Sequence, residues 1–279
     1  MRITCLMENT VGNGLCQVEH GLSIYIEMEN RTVLVDTGAS SLFTKNANKL
    51  GVDLTKVETL FLSHGHYDHG GGILDFHKIN LEANIVIQEK AFGEFWHSSE
   101  NVEKYIGLEP TIKEISNLVL LDGDCAYCEN GEILIFTLNH VQQENLVCWP
   151  KGNRSLKEYR NGEYIQDKFE HEQYIVLKEK EKTVLVSGCA HNGILNILNE
   201  YKNKYGDYPN ALISGFHMRK KNGYEKEDFE MVEDTAKKLK ETGILCYTGH
   251  CTGEEPFEAM KKIMGEQLQY LHCGDVIEI

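Results

Sequence analysis

Between Ser63 and Gly72 the chain reads Ser-His-Gly-His-Tyr-Asp-His-Gly-Gly-Gly, so three imidazoles and a carboxylate fall within six residues. Imidazole nitrogen and carboxylate oxygen are common donors to divalent transition metals. The run follows Leu60-Phe61-Leu62, an apolar stretch that reads as the end of a buried strand. Side chains two apart on an extended backbone point the same way, which lets His64 and His66 grip one cation while Asp68 and His69 turn toward a second. A strand end fixes the geometry and the following turn stays open to solvent. That combination suits a metal with a free coordination position.

Three further histidines follow apolar strands and lie in glycine-bearing turns. They are His191 in Ser187-Gly188-Cys189-Ala190-His191-Asn192-Gly193, His217 in Gly215-Phe216-His217-Met218, and His250 in Gly249-His250-Cys251-Thr252-Gly253. His140 also ends a strand and competes with His191 as a third ligand of the first cation. Arg219-Lys220-Lys221, just after His217, reads either as an anion receiver or as a solvated loop. Asp36-Thr37-Gly38 closes a hairpin, where Asp36 could cap the next helix.

The elements that position these groups follow from residue patterning. Residues 2–7, 22–28, 31–36, 57–62, 83–88, 118–122, 132–138, 173–178, 183–187, 211–214, 244–247 and 276–279 read as strands, many of them rich in β-branched residues. Glu29-Asn30 and Glu179-Lys180-Glu181 read as hairpin turns. Helices are expected at 40–50, 69–77, from 194, at 225–241 and at 254–264, several carrying apolar residues at helical spacing. Residues 89–117 hold Phe92, Phe95 and Trp96 without a clean period and fit a wall over the site or a peripheral helix. Strands and helices in this order predict two mixed β-sheets packed face to face with helices outside, an α/β four-layer αββα sandwich. The expectation is one domain over 1–279, with an insertion or lid at about 140–172.

His64-x-His66-x-Asp68-His69 followed by glycines resembles the signature of the metallo-β-lactamase superfamily, whose members are mostly two-metal hydrolases. The likeness runs from about residue 20 to 278 and implies the same αββα fold. It implies that His64, His66 and His191 hold a first metal, that Asp68, His69 and His250 hold a second, and that Asp36 lies beneath the site and orients its ligands. The usual bridging aspartate is replaced by Cys189, whose thiolate is itself a good zinc ligand. Among the branches, Ser-Gly-Cys-Ala-His-Asn-Gly, Ser-Gly-Phe-His-Met and Gly-His-Cys-Thr-Gly look like the one that includes the methanopterin-pathway dihydropterin synthase-like proteins.

Bulk properties bound the partners. The 279 residues carry 43 Asp and Glu against 28 Lys and Arg, a net charge of −15 that disfavours nucleic acid. No run approaches the apolar length of a membrane span, the N-terminus lacks the apolar core of a signal peptide, and nine scattered cysteines fit a reducing compartment. The expectation is therefore a cytoplasmic protein acting on a small anionic molecule. The leading reading is a hydrolase with two divalent cations, zinc first and iron or manganese as alternatives, in which hydroxide on the metal attacks an ester or phosphoester. Asp68 would hold the water, His217 would serve as acid–base and substrate group, and Arg219 and Lys220 would bind the anion. Two alternatives are a pterin-type synthase, in which metals activate a diphosphate leaving group, and a metal-binding protein without turnover.

Overall fold

A computed structural model describes the chain except residues 13, 100–101, 129, 139–147, 149 and 222. His140 and the start of the expected insertion lie outside the described residues.

Two seven-stranded sheets form the centre. The first runs, in spatial order, Val276–Glu278, Arg2–Met7, Ser23–Glu27, Thr32–Val35, Thr59–Phe61, Asn84–Gln88 and Leu118–Leu121. Its first four strands pair antiparallel and the rest parallel. The second runs Leu268–Tyr270, Leu245–Thr248, Ala211–Ser214, Lys182–Ser187, Tyr174–Glu179, Ile133–Phe136 and Cys125–Ala126, again half parallel and half antiparallel.

Alternation along the strands sorts side chains into layers. Val33 and Val35 join Ile24, Ile26, Phe61 and Val86 against Ile135, Ile175, Val184, Val186 and Ile213 of the other sheet. Leu34, Leu60, Ile85 and Ile87 face outward onto Phe43 and Ala47 of helix Leu42–Leu50 and Ile73 and Phe76 of helix Ile73–Ile79. On the far side Val176, Leu185 and Leu212 pack on helices Ile194–Tyr205, Lys226–Thr242 and Glu254–Met264. The result is the αββα sandwich. Phe61 has no exposed surface between the sheets, and truncating it to alanine should cost about 3–5 kcal/mol.

Several boundaries differ from the patterning. The helix expected at 69–77 is a short turn, Tyr67–Gly70, and then Ile73–Ile79. Residues 89–117 are not a helix: they supply Glu94–Ser99 and Val102–Tyr105, which join Leu156–Arg160 and Glu163–Gln166 in a third, four-stranded antiparallel sheet. Part of the expected insertion is thus regular β-structure, in which Leu156–Arg160 pairs with a strand about sixty residues away. Among the described residues no helix is long and apolar enough to cross a membrane.

Candidate metal centre

In each large sheet the parallel strands end on turns that carry the chemistry, the usual place for ligands in open α/β sheets. Strand Thr32–Val35 delivers Asp36, Thr59–Phe61 delivers His64 through His69, and Lys182–Ser187 delivers Cys189 and His191. Ala211–Ser214 leads to His217 and Leu245–Thr248 to His250. Ala190, His217 and His250 hold φ of 53°, 49° and 50°, a left-handed conformation that costs a non-glycine residue about 1–2 kcal/mol. Tertiary contacts hold them there.

Two overlapping sets of three donors meet at His250, one with His69 and Cys189 and the other with Asp68 and His20. His69 Nε2 lies 3.1 Å from Cys189 Sγ, 3.2 Å from His250 Nε2 and 3.9 Å from Asp68 Oδ2, and His250 Nε2 lies 3.4 Å from the same Asp68 oxygen. A tetrahedron with zinc–nitrogen bonds of 2.0–2.1 Å has edges of about 3.3 Å. The donor atoms of His69, His250 and Cys189 therefore stand near the spacing of a tetrahedral metal's ligands, with the Asp68 carboxylate beside His250.

The tautomers follow from hydrogen-bond arithmetic. Ser63 Oγ donates its single proton to Asp36 Oδ2 at 2.7 Å, so it must accept from His64 Nδ1 at 2.9 Å. Asp36 Oδ2 also accepts from His69 Nδ1 at 2.6 Å, and its Oδ1 accepts from the Ser63 amide at 2.7 Å. Asp36 does not cap the next helix. Asn153 Oδ1 accepts from His191 Nδ1 at 2.9 Å while its Nδ2 donates to the His191 carbonyl at 2.7 Å. Asn9 does the same for His250, at 2.9 Å to the ring and 3.3 Å to the carbonyl. In His64, His69, His191 and His250 the Nδ1 proton is thus spoken for, and Nε2 is turned inward as the donor atom.

The rings of His64, His66 and His191 form a triangle with centroids 4.6, 4.9 and 4.9 Å apart. Their Nε2 atoms are buried without a hydrogen-bond partner. A buried imidazole nitrogen left unpaired costs free energy unless something else binds it, and a metal ion would do so. The donor atoms divide differently from the rings: those of His64 and His191 group with Cys189, whereas His66 Nε2 groups with Asp167 and His171 and faces Asp167 Oδ2 at 4.0 Å. His171 Nδ1 accepts from the Gly65 amide at 3.0 Å, so its Nε2 carries the proton and donates to Asp167 at 3.1 Å.

Burial, followed by the neighbouring imidazoles, pushes His64 and His191 well below the ordinary histidine value and His66 to about 3. All three are neutral at pH 7, the form that binds metal. Burial also disfavours the charged form of His69, but the Asp36 carboxylate outweighs it and raises the group to about 9. For Asp68, burial is outweighed by the hydrogen bond to His250 and by His69, which hold the carboxyl well below its usual range.

The remaining expected residues fall in three places. The His217 ring lies 4.2 Å from that of His191, tilted by 52°, and His217 groups with Cys189 and Cys251. Arg219 Nη1 lies 3.4 Å from His20 Nδ1, and His20 Nε2 lies 3.3 Å from Asp68 Oδ2, so the guanidinium is two side chains from the second metal position. Lys220, expected to receive an anion, donates instead to Asp228, whose side chain is part of the capping box of helix Lys226–Thr242 and also pairs with Lys151 at 3.4 Å. Its charge is neutralised by the helix cap. Patterning overlooked Asn9, His20, Asn153, Asp167, His171 and Cys251. Only Asp167 and His171, four apart, and Cys251, directly after His250, carried a local signal.

The metallo-β-lactamase superfamily profile matches residues 17–139. The chain is similar to 7,8-dihydropterin-6-methyl-4-(β-D-ribofuranosyl)-aminobenzene-5'-phosphate synthase of Methanocaldococcus jannaschii, with 28% identity covering 100% of this chain and 96% of that protein. The crystal structure of Tm1679, a metal-dependent hydrolase of the β-lactamase superfamily, superposes with a TM-score of 0.80 at 27% identity, covering 100% of this chain and 99% of that one. YhfI from Bacillus subtilis, a metallo-β-lactamase fold protein, shares the fold at a TM-score of 0.56 and 14% identity, over 100% and 98% of the two chains. The donor cluster at the strand ends, the αββα layers and these likenesses agree: the chain has the metallo-β-lactamase fold, and its N-terminal half matches that superfamily's profile.

Proposed function

We propose that the chain is a metal-dependent hydrolase acting on a small anionic substrate, an ester or phosphoester, with two divalent cations of the zinc class. The observation that carries this reading is the pair of adjoining donor sets. His69, His250 and Cys189 stand at near-tetrahedral spacing with Asp68 3.4 Å from His250, and His64, His66 and His191 present unpaired buried nitrogens beside them. Iron or manganese would also fit the nitrogen and oxygen donors, whereas the thiol favours zinc. A bound divalent cation supplies Lewis acidity and can lower the pKa of water from ~15.7 to about 7.

The chain's own residues supply the rest. Asp68, ionised at neutral pH, holds a carboxylate oxygen among His20, His69 and His250, where it can orient a water as well as bind metal. Arg219 stands at His20 and offers a guanidinium to a phosphate or carboxylate. With a net charge of −15 the diffuse field repels anions, so a local cation at the entrance matters for capture.

A second reading is a pterin-type synthase, favoured by full-length similarity to the archaeal synthase. There the metals would activate a diphosphate leaving group and an amine would replace water as nucleophile. One assay separates the readings. Metal-reconstituted protein is offered phosphomonoesters, phosphodiesters, lactones and thioesters, and separately a dihydropterin diphosphate with and without an aminobenzene riboside phosphate. Cleavage without the amine supports the hydrolase, and diphosphate release that requires it supports the synthase. Tight stoichiometric metal without turnover of any substrate would leave a binding protein.

A further inference from the structure

Two donors at the centre belong to neither metal set. Cys251 and His217 lie in adjacent turns of the second sheet, and their donor atoms and Cys189 Sγ are all within 4.8 Å of one another. Cys189 and Cys251 are free thiols, 3% and 5% exposed. The buried His217 Nδ1 has no hydrogen-bond partner. The His217 amide donates to Cys251 Sγ at 3.3 Å, which fixes the sulfur against the imidazole's own turn. The backbone makes room for both groups. A Cβ on Gly215 would stand 2.4 Å from Cys251 Sγ, and one on Gly152 would stand 3.2 Å from His217 Nε2.

We propose that Cys189, Cys251 and His217 hold a third, thiophilic divalent cation, with the sulfur of Cys189 shared between this position and the one formed by Asp68, His69 and His250. Two thiolates neutralise a dication in a buried place, where an uncompensated charge would be prohibitive. Two sulfurs and an imidazole are the donor set of zinc and its softer congeners, not of magnesium or calcium. Three protein donors leave one position open, so the ion can be structural or can meet a ligand. His217 therefore acts as a metal ligand and not as a free acid–base group. The inference shares only Cys189 with the two-metal reading and does not depend on the reaction.

The full chain is stripped with a chelator and reloaded with Co²⁺. Bound metal is counted by elemental analysis and thiolate coordination by the sulfur-to-cobalt charge-transfer absorption. The expected result is that Cys251→Ser and His217→Ala each lose one equivalent and most of the charge-transfer intensity. His66→Ala should lose a different equivalent and keep that intensity. If Cys251→Ser and His217→Ala retain the wild-type equivalents and spectrum while His66→Ala and His250→Ala lose metal, the third position is wrong and the other two stand. Loss in the first two variants alone would support the third position against the two-metal reading. Cadmium NMR of the unmodified protein needs no variant: a resonance typical of two-sulfur coordination supports the site, and resonances of at most one sulfur overturn it.

Discussion

Asn153 grips His191 at both ends, accepting from the ring Nδ1 at 2.9 Å and donating to the carbonyl of the same residue at 2.7 Å. Both groups of one amide are thereby committed, and the imidazole is left with a single tautomer and orientation. Removing such a partner typically costs 10–100-fold in metal affinity. Asn153→Ala should weaken one metal site by roughly that factor, as measured by competition with a chromophoric chelator. Unchanged affinity would mean that Asn153 only packs. Asn9→Ala should do the same at the position formed with His250.

His66→Ala should abolish tight binding at the first position, since it leaves His64 and His191 as the only imidazoles of that triangle. Elemental analysis after desalting should show one equivalent fewer. Wild-type content would reassign His66 to its Asp167 contact alone.

Asp36 is fully buried and holds both Ser63 and His69. Asp36→Ala strands a protonated His69 without its counter-charge, so the metal-free protein should lose about 3–5 kcal/mol of stability in urea. Asp36→Asn keeps the shape and should lose less. A neutral effect of the alanine variant would show that His69 gives up its proton at little cost.

The metal-free protein should have opposed pH limbs. His66 sits at about 3 against an ordinary 6.5, so between those values the folded state binds fewer protons than the unfolded one. Stability then falls as pH drops below 6.5 toward 3. His69, raised to about 9, works the other way: its contribution is complete below 6.5 and is lost as pH rises through 9. Thermal melting of the metal-free protein from pH 4 to 9 checks both limbs. A His66→Leu variant should flatten the acid limb, and an unaltered slope would remove His66 as its source.

If Arg219 meets an anionic substrate, Arg219→Ala should raise KM about tenfold or more, the size of a lost charged hydrogen bond, with metal content intact. An equal effect on neutral and anionic substrates would place Arg219 in folding instead.

Much of this centre is legible along the chain because its donors are carried by short motifs. His64, His66, Asp68 and His69 lie within one turn, and His191, His217 and His250 each follow a strand whose apolar run announces where it stops. Local spacing and strand periodicity therefore suffice to pick out those residues as candidate donors and to expect two sheets between layers of helices. What they cannot carry is the second side of each contact. Asn9 clamps a histidine 241 residues away, Asn153 one 38 residues away, and His171 receives the amide of Gly65 across 106 residues. The third sheet pairs Leu156–Arg160 with Glu94–Ser99, and neither segment has an apolar period of its own. The fate of Lys220 turned on Asp228, eight residues on, which folds back only because it begins a helix. A lone asparagine or lysine looks the same in a loop as in a metal centre. Its partner is chosen when the sheets close and bring strand ends from both halves of the chain together, which depends on burial and packing over the whole core and on no property of the residue itself.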